Sequence, residues 1–150
     1  MTAAYRHVLV GTDGSATAAE AVRHAAGVAA AFEAKLTVVT AYAPDPGAGR
    51  GLEDVPEDLK WSVTDSAMAE ERAREAKRVA VEAGAHEVAM LVQEGDPAEV
   101  LLDAAELRGA DVIVVGSKGM TSPKRFLVGN VPNRISHHAP CDVIIVRTAH

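Results

Sequence analysis

Short apolar runs alternate along the chain with longer segments whose apolar residues recur every three or four positions. The short runs predict five buried strands, at residues 7–12, 36–41, 87–93, 111–115 and 142–146. The longer segments predict helices at about residues 15–32, 56–83, 96–108 and 130–138. Because the strands are mostly apolar throughout rather than alternating, and because helices separate them, the pattern predicts an α/β fold. We expect a parallel sheet covered by helices on both faces.

The third predicted helix has the clearest boundaries. Asp96 suits the N-cap, Pro97 the first helical position and Glu99 the first turn, while Gly109 suits the stop. The segment before the second helix is different, because prolines and glycines crowd residues 44–51 and predict a loop.

Composition limits the function classes. The 150 residues fit one domain, with 48% hydrophobic and 24% charged residues. A net charge of −6 without a basic block makes the chain a poor candidate for non-specific nucleic-acid binding. Its single cysteine, Cys141, allows no internal disulfide, and no apolar run is long enough to span a membrane. With no signal-peptide pattern, we expect a cytoplasmic protein without a membrane partner.

The most informative stretch is residues 116–130, which lie between the fourth strand and the fourth helix. Gly116, Gly119 and Gly129 let backbone N–H groups approach an anion, and the helix that starts near Asn130 adds its positive dipole end. We therefore hypothesise that this stretch wraps the phosphates of a nucleotide. From spacing alone, glycines that merely end elements or fill turns explain the pattern equally well.

Other residues offer chemistry beside this stretch. Asp13, after the first strand, can hold a ribose hydroxyl or a divalent metal beside phosphates, although a turn or helix cap is the alternative. Polar side chains in the loop suit phosphate oxygens or plain solvation: Ser117, Lys118, Thr121, Ser122, Lys124 and Arg125. The Walker A pattern is absent, since the sequence has no Gly-Lys pair, and no Gly-x-Gly-x-x-Gly fingerprint follows the first strand. No histidine shows zinc-ligand spacing with another His or Cys. Cys141 is interpreted as a small buried thiol, and no catalytic residue is predicted.

Three features together resemble the universal stress protein family over essentially the whole chain. They are the opening strand that ends in Gly11-Thr12-Asp13-Gly14-Ser15, the Gly-x-x-Gly-x9-Gly pattern, and the closing segment from Val131 to Val146. The resemblance implies one domain over residues 1–150, a three-layer fold with strand order 3-2-1-4-5, and a homodimer formed through residues 142–146. It also implies ATP binding, with Mg²⁺ or Mn²⁺ held by Asp13 through the phosphates, while some relatives bind cyclic AMP.

By position, the resemblance places Asp13 beside ribose, phosphates or metal, and Ala41 against adenine through its backbone. The full expected nucleotide-binding set is Gly11, Thr12, Asp13, Ala41, Val115, Gly116, Ser117, Gly119, Gly129, Asn130 and Val131. Two positions depart from the family pattern: Asn130 replaces the usual Ser or Thr, and Gly11 stands where many relatives have proline.

The sequence therefore favours an ATP-binding stress-response protein that acts as a ligand-dependent regulatory module, with slow ATP hydrolysis or self-phosphorylation at most. Two alternatives stay open. One is a protein that binds or buffers cyclic AMP, and the other is a structural dimer whose glycine loop is vestigial.

Overall fold

A computed structural model describes residues 4–13, 16–42, 66–117 and 130–147. Its strands are β1 (His7–Gly11), β2 (Lys35–Tyr42), β3 (Glu87–Glu94), β4 (Val112–Gly116) and β5 (Asp142–Val146). Its helices are α1 (Ala16–Phe32), α2 (Ser66–Glu82), α3 (Pro97–Arg108) and α4 (Asn130–His138). The elements confirm the predicted alternation of strands and helices. The predicted first part of the second helix, residues 56–65, and the predicted loop before it lie outside the described residues.

The five strands form one parallel sheet in the order β3-β2-β1-β4-β5, which confirms the expected topology. Successive side chains of a strand point to opposite faces, so apolar strands supply two cores. Val8, Val10 and Val38 face α1 and α2, whereas Leu9 and Ile113 face α3 and α4. The result is a three-layer arrangement in which the three central strands of the sheet, β2, β1 and β4, are buried on both faces.

Alanine dominates the contact between the sheet and the first helix pair. The buried alanines of α1 and α2 are Ala18, Ala21, Ala25, Ala26, Ala29, Ala69, Ala73, Ala76 and Ala80. Small side chains let helices lie close to the sheet and to each other, which explains how a chain with 3% aromatic residues fills its core. None of the helices in the described ranges combines the length and apolar character needed to cross a membrane.

The predicted ends of α3 are confirmed. Asp96 adopts an extended N-cap conformation (φ −67°, ψ 132°), and its side chain accepts a hydrogen bond from the Glu99 N–H at 3.0 Å. At the other end, Gly109 has a φ of 66°, a left-handed conformation in which glycine avoids the strain of a side chain. These local signals fix where the chain enters and leaves the helix.

A carboxylate ties the amino end of the sheet together. The Asp111 side chain, just before β4, accepts hydrogen bonds from the backbone N–H groups of Arg6 at 2.7 Å and His7 at 2.9 Å. The Asp111 N–H in turn donates to the His7 carbonyl at 2.9 Å. This arrangement joins β1 to β4 at the edge of the sheet opposite their carboxyl ends.

Candidate functional site

The strand order reverses at the boundary between β1 and β4. From β1 the chain passes to α1 on one face, whereas from β4 it leads to α4 on the other. The two helices therefore lie on opposite faces of the sheet, on either side of a crevice at the carboxyl ends of β1 and β4. In open α/β sheets this switch point is where ligands bind.

Both strands that border the crevice have anchored ends. Val10 is in register with Val114, so the carboxyl ends of β1 and β4 lie side by side. The Thr12 N–H donates to the Val39 carbonyl at 3.0 Å, and the Ser117 N–H donates to the Val146 carbonyl at 2.7 Å. Each strand end is thus held by its outer neighbour, and the first residues of both loops have defined positions.

The expected site residues at the end of β1 have different surroundings. Thr12 is only 2% exposed, while Asp13 is half-buried. Thr12 lines a small cavity of about 30 Å³ between α1 and α2, together with Arg72 and Ala76. The buried threonine holds the strand end in the core, and the partly exposed carboxylate follows it at the crevice.

Gly11 has a packing role that the sequence did not reveal. A Cβ atom built on Gly11 would lie 2.8 Å from the Leu101 Cδ1 atom and 3.5 Å from Cδ2 and Cγ of the same side chain. Leu101 lies on the core-facing side of α3 and is 1% exposed. The missing side chain of Gly11 therefore makes room for α3, whatever contact its backbone makes with a ligand.

The carboxyl end of β2 projects beyond β1. The register of β2 with β1 ends at Val39, whereas its register with β3 continues to Tyr42. Thr40 and Ala41 therefore lie past the last paired residue of β1, beside the crevice. Ala41, whose backbone the family resemblance assigns to adenine, therefore lies at the carboxyl edge of the sheet.

Thr40 is a residue that sequence reasoning missed. It is fully buried, and its hydroxyl has no hydrogen-bond partner within the described part of the chain. A buried hydroxyl without a partner is uncommon because it loses its hydrogen bonds to water. The signal available in the sequence was a threonine among the last residues of an apolar strand, directly before Ala41.

Helix α4 begins at the same edge as the strand ends. Val131, in its first turn, is 2% exposed and its side chain packs in the core with Ile135. Only its backbone can therefore serve the predicted contact with a ligand. Arg134 forms ion pairs with Asp96 at 3.0 Å and with Glu99 at 3.8 Å, which joins the second turn of α4 to the start of α3. The N-terminal N–H groups of both helices consequently lie at this edge.

The structure brings together part of the predicted set. Val115 and Gly116 are buried at the end of β4, and Ser117 follows them half-buried. Gly119, Gly129, the polar residues at 118–125 and the side chain of Asn130 lie outside the described residues. The described portion of the set therefore forms the floor of the crevice.

Cys141 has the environment of a structural thiol. Its side chain is partly buried against the core below α4, and this burial is the main reason that its pKa is raised, with Asp142 and Asp111 adding to the effect. A raised pKa keeps the thiol protonated and poorly nucleophilic. Among the described residues, no three or more His, Cys, Asp or Glu side chains cluster in a way that could hold a metal ion.

Known proteins resemble this chain in both architecture and sequence. The chain matches the universal stress protein family over residues 4–147. A universal stress protein of Mycobacterium tuberculosis is 39% identical over 145 residues, which cover 97% of this chain and 98% of that protein. A universal stress protein solved in complex with cAMP has 34% identity and a TM-score of 0.76, covering 98% of this chain and 100% of its own.

A third relative, the Archaeoglobus fulgidus universal stress protein in complex with dAMP, has 26% identity and a TM-score of 0.66. The match covers 97% of this chain and 100% of that structure. Fold and sequence agree over nearly the full length, and the chain therefore belongs to the universal stress protein family.

Proposed function

We propose that the crevice between β1 and β4 binds an adenine nucleotide and that ATP is its principal ligand. The observation that carries the proposal is the meeting, at one switch point, of the ends of both strands with the first turn of α4. Two structural relatives with the same fold were solved with adenine nucleotides, cAMP and dAMP, which supports this ligand class.

In this proposal the contacts come mainly from the backbone. The amides near Gly116 and Val131 would meet the phosphates, because a glycine and a helix start present N–H groups with little steric hindrance. Asp13 would hold the ribose hydroxyls, and the backbone of Ala41 would meet the adenine. The Thr40 hydroxyl, which has no partner among the described residues, would order a water molecule near the adenine.

A divalent ion would enter with the nucleotide. Asp13 supplies one carboxylate at the crevice, so Mg²⁺ or Mn²⁺ would draw its other ligands from phosphate oxygens and water, as Mg²⁺ commonly does. The proposed contacts position phosphates but assign no side chain to activate water. We therefore infer that any ATP hydrolysis or self-phosphorylation is slow and that the protein acts as a ligand-dependent regulatory module.

Calorimetric titration with ATP, with and without Mg²⁺, and with cAMP tests the proposal. A matched pair of variants gives the comparison. Gly116→Ala adds a methyl group at the buried end of β4, whereas Gly27→Ala adds one at an exposed position of α1, where nothing lies within 4 Å. We expect Gly116→Ala to weaken ATP binding about tenfold or more, which is at least about 1.4 kcal/mol, and Gly27→Ala to leave it unchanged.

The other outcomes decide between the alternatives. Tighter binding of cAMP than of ATP would make the protein a cAMP-binding or buffering protein, an alternative favoured by the structural relative solved with cAMP. Absence of binding by either nucleotide would refute the proposal and favour a structural dimer with a vestigial loop. Equal losses in both glycine variants would place the ligand elsewhere.

We also propose that the protein forms a homodimer through β5. This strand is an edge of the described sheet, and its Ile145 side chain is 37% exposed. An exposed, apolar edge strand favours pairing with another chain. Light scattering should show a dimer that Ile145→Lys shifts toward monomer, whereas a monomeric wild type would contradict the proposal.

A further inference from the structure

Within the described ranges, the face of β3 next to α3 is covered only in part: Leu91 contacts the core below that helix, but no residue of β3 is fully buried. Helix α2 covers the opposite face of β3, while α3 packs on β2, β1 and β4. Between β3 and α3 lies a groove of about 460 Å³. Because β3 is also an edge strand of the described sheet, the groove is open at the side of the molecule.

Apolar side chains line the middle of this groove. Leu91 of β3 faces Val100 and Ala104 of α3, and Leu107 extends the same stripe by one further helical turn. Leu107 is 85% exposed, well above the other exposed large apolar side chains, which range from 37% to 52%. A leucine this exposed beside an apolar groove resembles half of an interface rather than an isolated surface residue.

Carboxylates surround the apolar stripe. The acidic lining residues are Glu94, Asp96, Glu99 and Asp103. Arg108 is the one cationic side chain among the described lining residues, and it lies at the far end of α3. Arg134 partly offsets Asp96 and Glu99 from outside the groove. The electrostatic potential along the rim of the groove is therefore negative near the start of α3 and less negative toward the end of that helix.

We propose that this groove docks a basic amphipathic helix of a partner protein. The 12 residues of α3 give the groove a length of about 18 Å, enough for about three turns of a partner helix. An apolar stripe would cover Leu91 and Leu107, and Lys or Arg residues on its flank would meet the acidic rim. A second copy of this chain is a poor occupant, because its net charge of −6 would bring like charge to an acidic surface.

A synthetic peptide tests the proposal directly. It has about 14 residues, with leucines at i, i+3, i+4 and i+7 spacing and with lysine and alanine elsewhere. A scrambled peptide and an acidic version, with glutamate for lysine, serve as controls. We expect saturable calorimetric binding of the basic helix alone, weakening with salt. The titrations contain no nucleotide, so they do not depend on the function proposed above.

Two pairs of exposed substitutions locate the binding site. Leu107→Ser should weaken binding about tenfold or more, whereas Val81→Ser, on α2, should not change it. Asp103→Lys, in the groove, should weaken binding by a similar factor, whereas Glu106→Lys, on the same helix but outside the groove lining, should change it less than about twofold.

Other results would overturn the proposal. One is the absence of saturable binding, and another is equal binding of the scrambled or acidic peptide. Equal effects within both variant pairs would also exclude this groove as the binding site. If light scattering showed that Leu107→Ser dissociates a dimer, the occupant would be a second copy of the chain rather than a basic partner.

Discussion

The contact between Gly11 and Leu101 allows a prediction whose sign depends on context. Gly11→Ala has two opposing effects on the free energy of unfolding. It restricts the unfolded chain, which stabilises by about 0.4–1 kcal/mol where the native backbone accepts alanine. It also places a Cβ atom 2.8 Å from Leu101 Cδ1 in a closely packed core, and overpacking costs about 1–3 kcal/mol. We therefore expect a net destabilisation of about 1–2 kcal/mol.

Removal of the Leu101 side chain should reverse the sign of the effect of Gly11→Ala on the free energy of unfolding. Leu101→Ala alone should cost about 2–5 kcal/mol, because it leaves a cavity beneath α3. In that background the methyl group of Gly11→Ala meets no Cδ atoms, so the entropic benefit remains and the substitution should stabilise by about 0.4–1 kcal/mol. The two substitutions should thus be coupled by about 1–3 kcal/mol.

Urea unfolding of the wild type, both single variants and the double variant gives the four free energies required. Equal m-values across the set would show that the unfolding transition is comparable in each. Additive effects of the two substitutions would refute the interpretation that Gly11 is small because Leu101 packs against it. A stabilising effect of Gly11→Ala in the wild-type background would refute it as well.

Three further predictions concern the amino end of the sheet. Asp111→Ala should destabilise by about 2–3 kcal/mol in urea unfolding, because the Arg6 and His7 amides lose a charged acceptor, and Asp111→Asn should cost less. Burial lowers the pKa of His7 below 6.5 in the folded protein. The stability that the neutral His7 side chain contributes is therefore fully present above pH 6.5 and is lost as the pH falls through the folded pKa. His7→Gln should therefore flatten the acid side of the stability profile. The hydrogen bond to Asp142 raises the pKa of Tyr5 above 10.0. The stability that the protonated Tyr5 hydroxyl contributes is therefore lost as the pH rises above 10.0 through the folded pKa, and Tyr5→Phe should remove this loss.

Local signals in the sequence predicted much of the fold. Apolar runs located the strands, and the caps of α3 fixed its boundaries because Asp96 and Gly109 act within a few residues of the helix ends. The strand order could not be predicted from such local signals, since periodicity does not determine which strands are neighbours. It was expected from the family resemblance, and the sheet confirmed it.

Contacts between distant parts of the chain could not be predicted in this way. Leu101 follows Gly11 by most of the chain length, and nothing near Gly11 indicates which side chain will cover it. The bonds from Arg6 and His7 to Asp111 likewise join residues 105 and 104 positions apart. At the site, the sequence located the strand ends that border the crevice but missed the Thr40 hydroxyl. Its lack of a partner in the described part of the chain becomes visible only once the sheet is assembled.

The Asp111 hydrogen bonds and the proposed nucleotide crevice lie at opposite ends of the same strands, so stability and ligand binding can be tested independently. Asp111 joins β1 to β4 at their amino ends, whereas the proposed nucleotide crevice lies at their carboxyl ends. With strands of five residues, the two edges are about 17 Å apart. Asp111→Ala should therefore lower the free energy of unfolding while leaving the ATP dissociation constant of the folded protein within about twofold of the wild type. If calorimetry showed a tenfold loss of ATP affinity in the folded variant, the two ends of the sheet would be coupled, and the crevice would depend on more than its own strand ends.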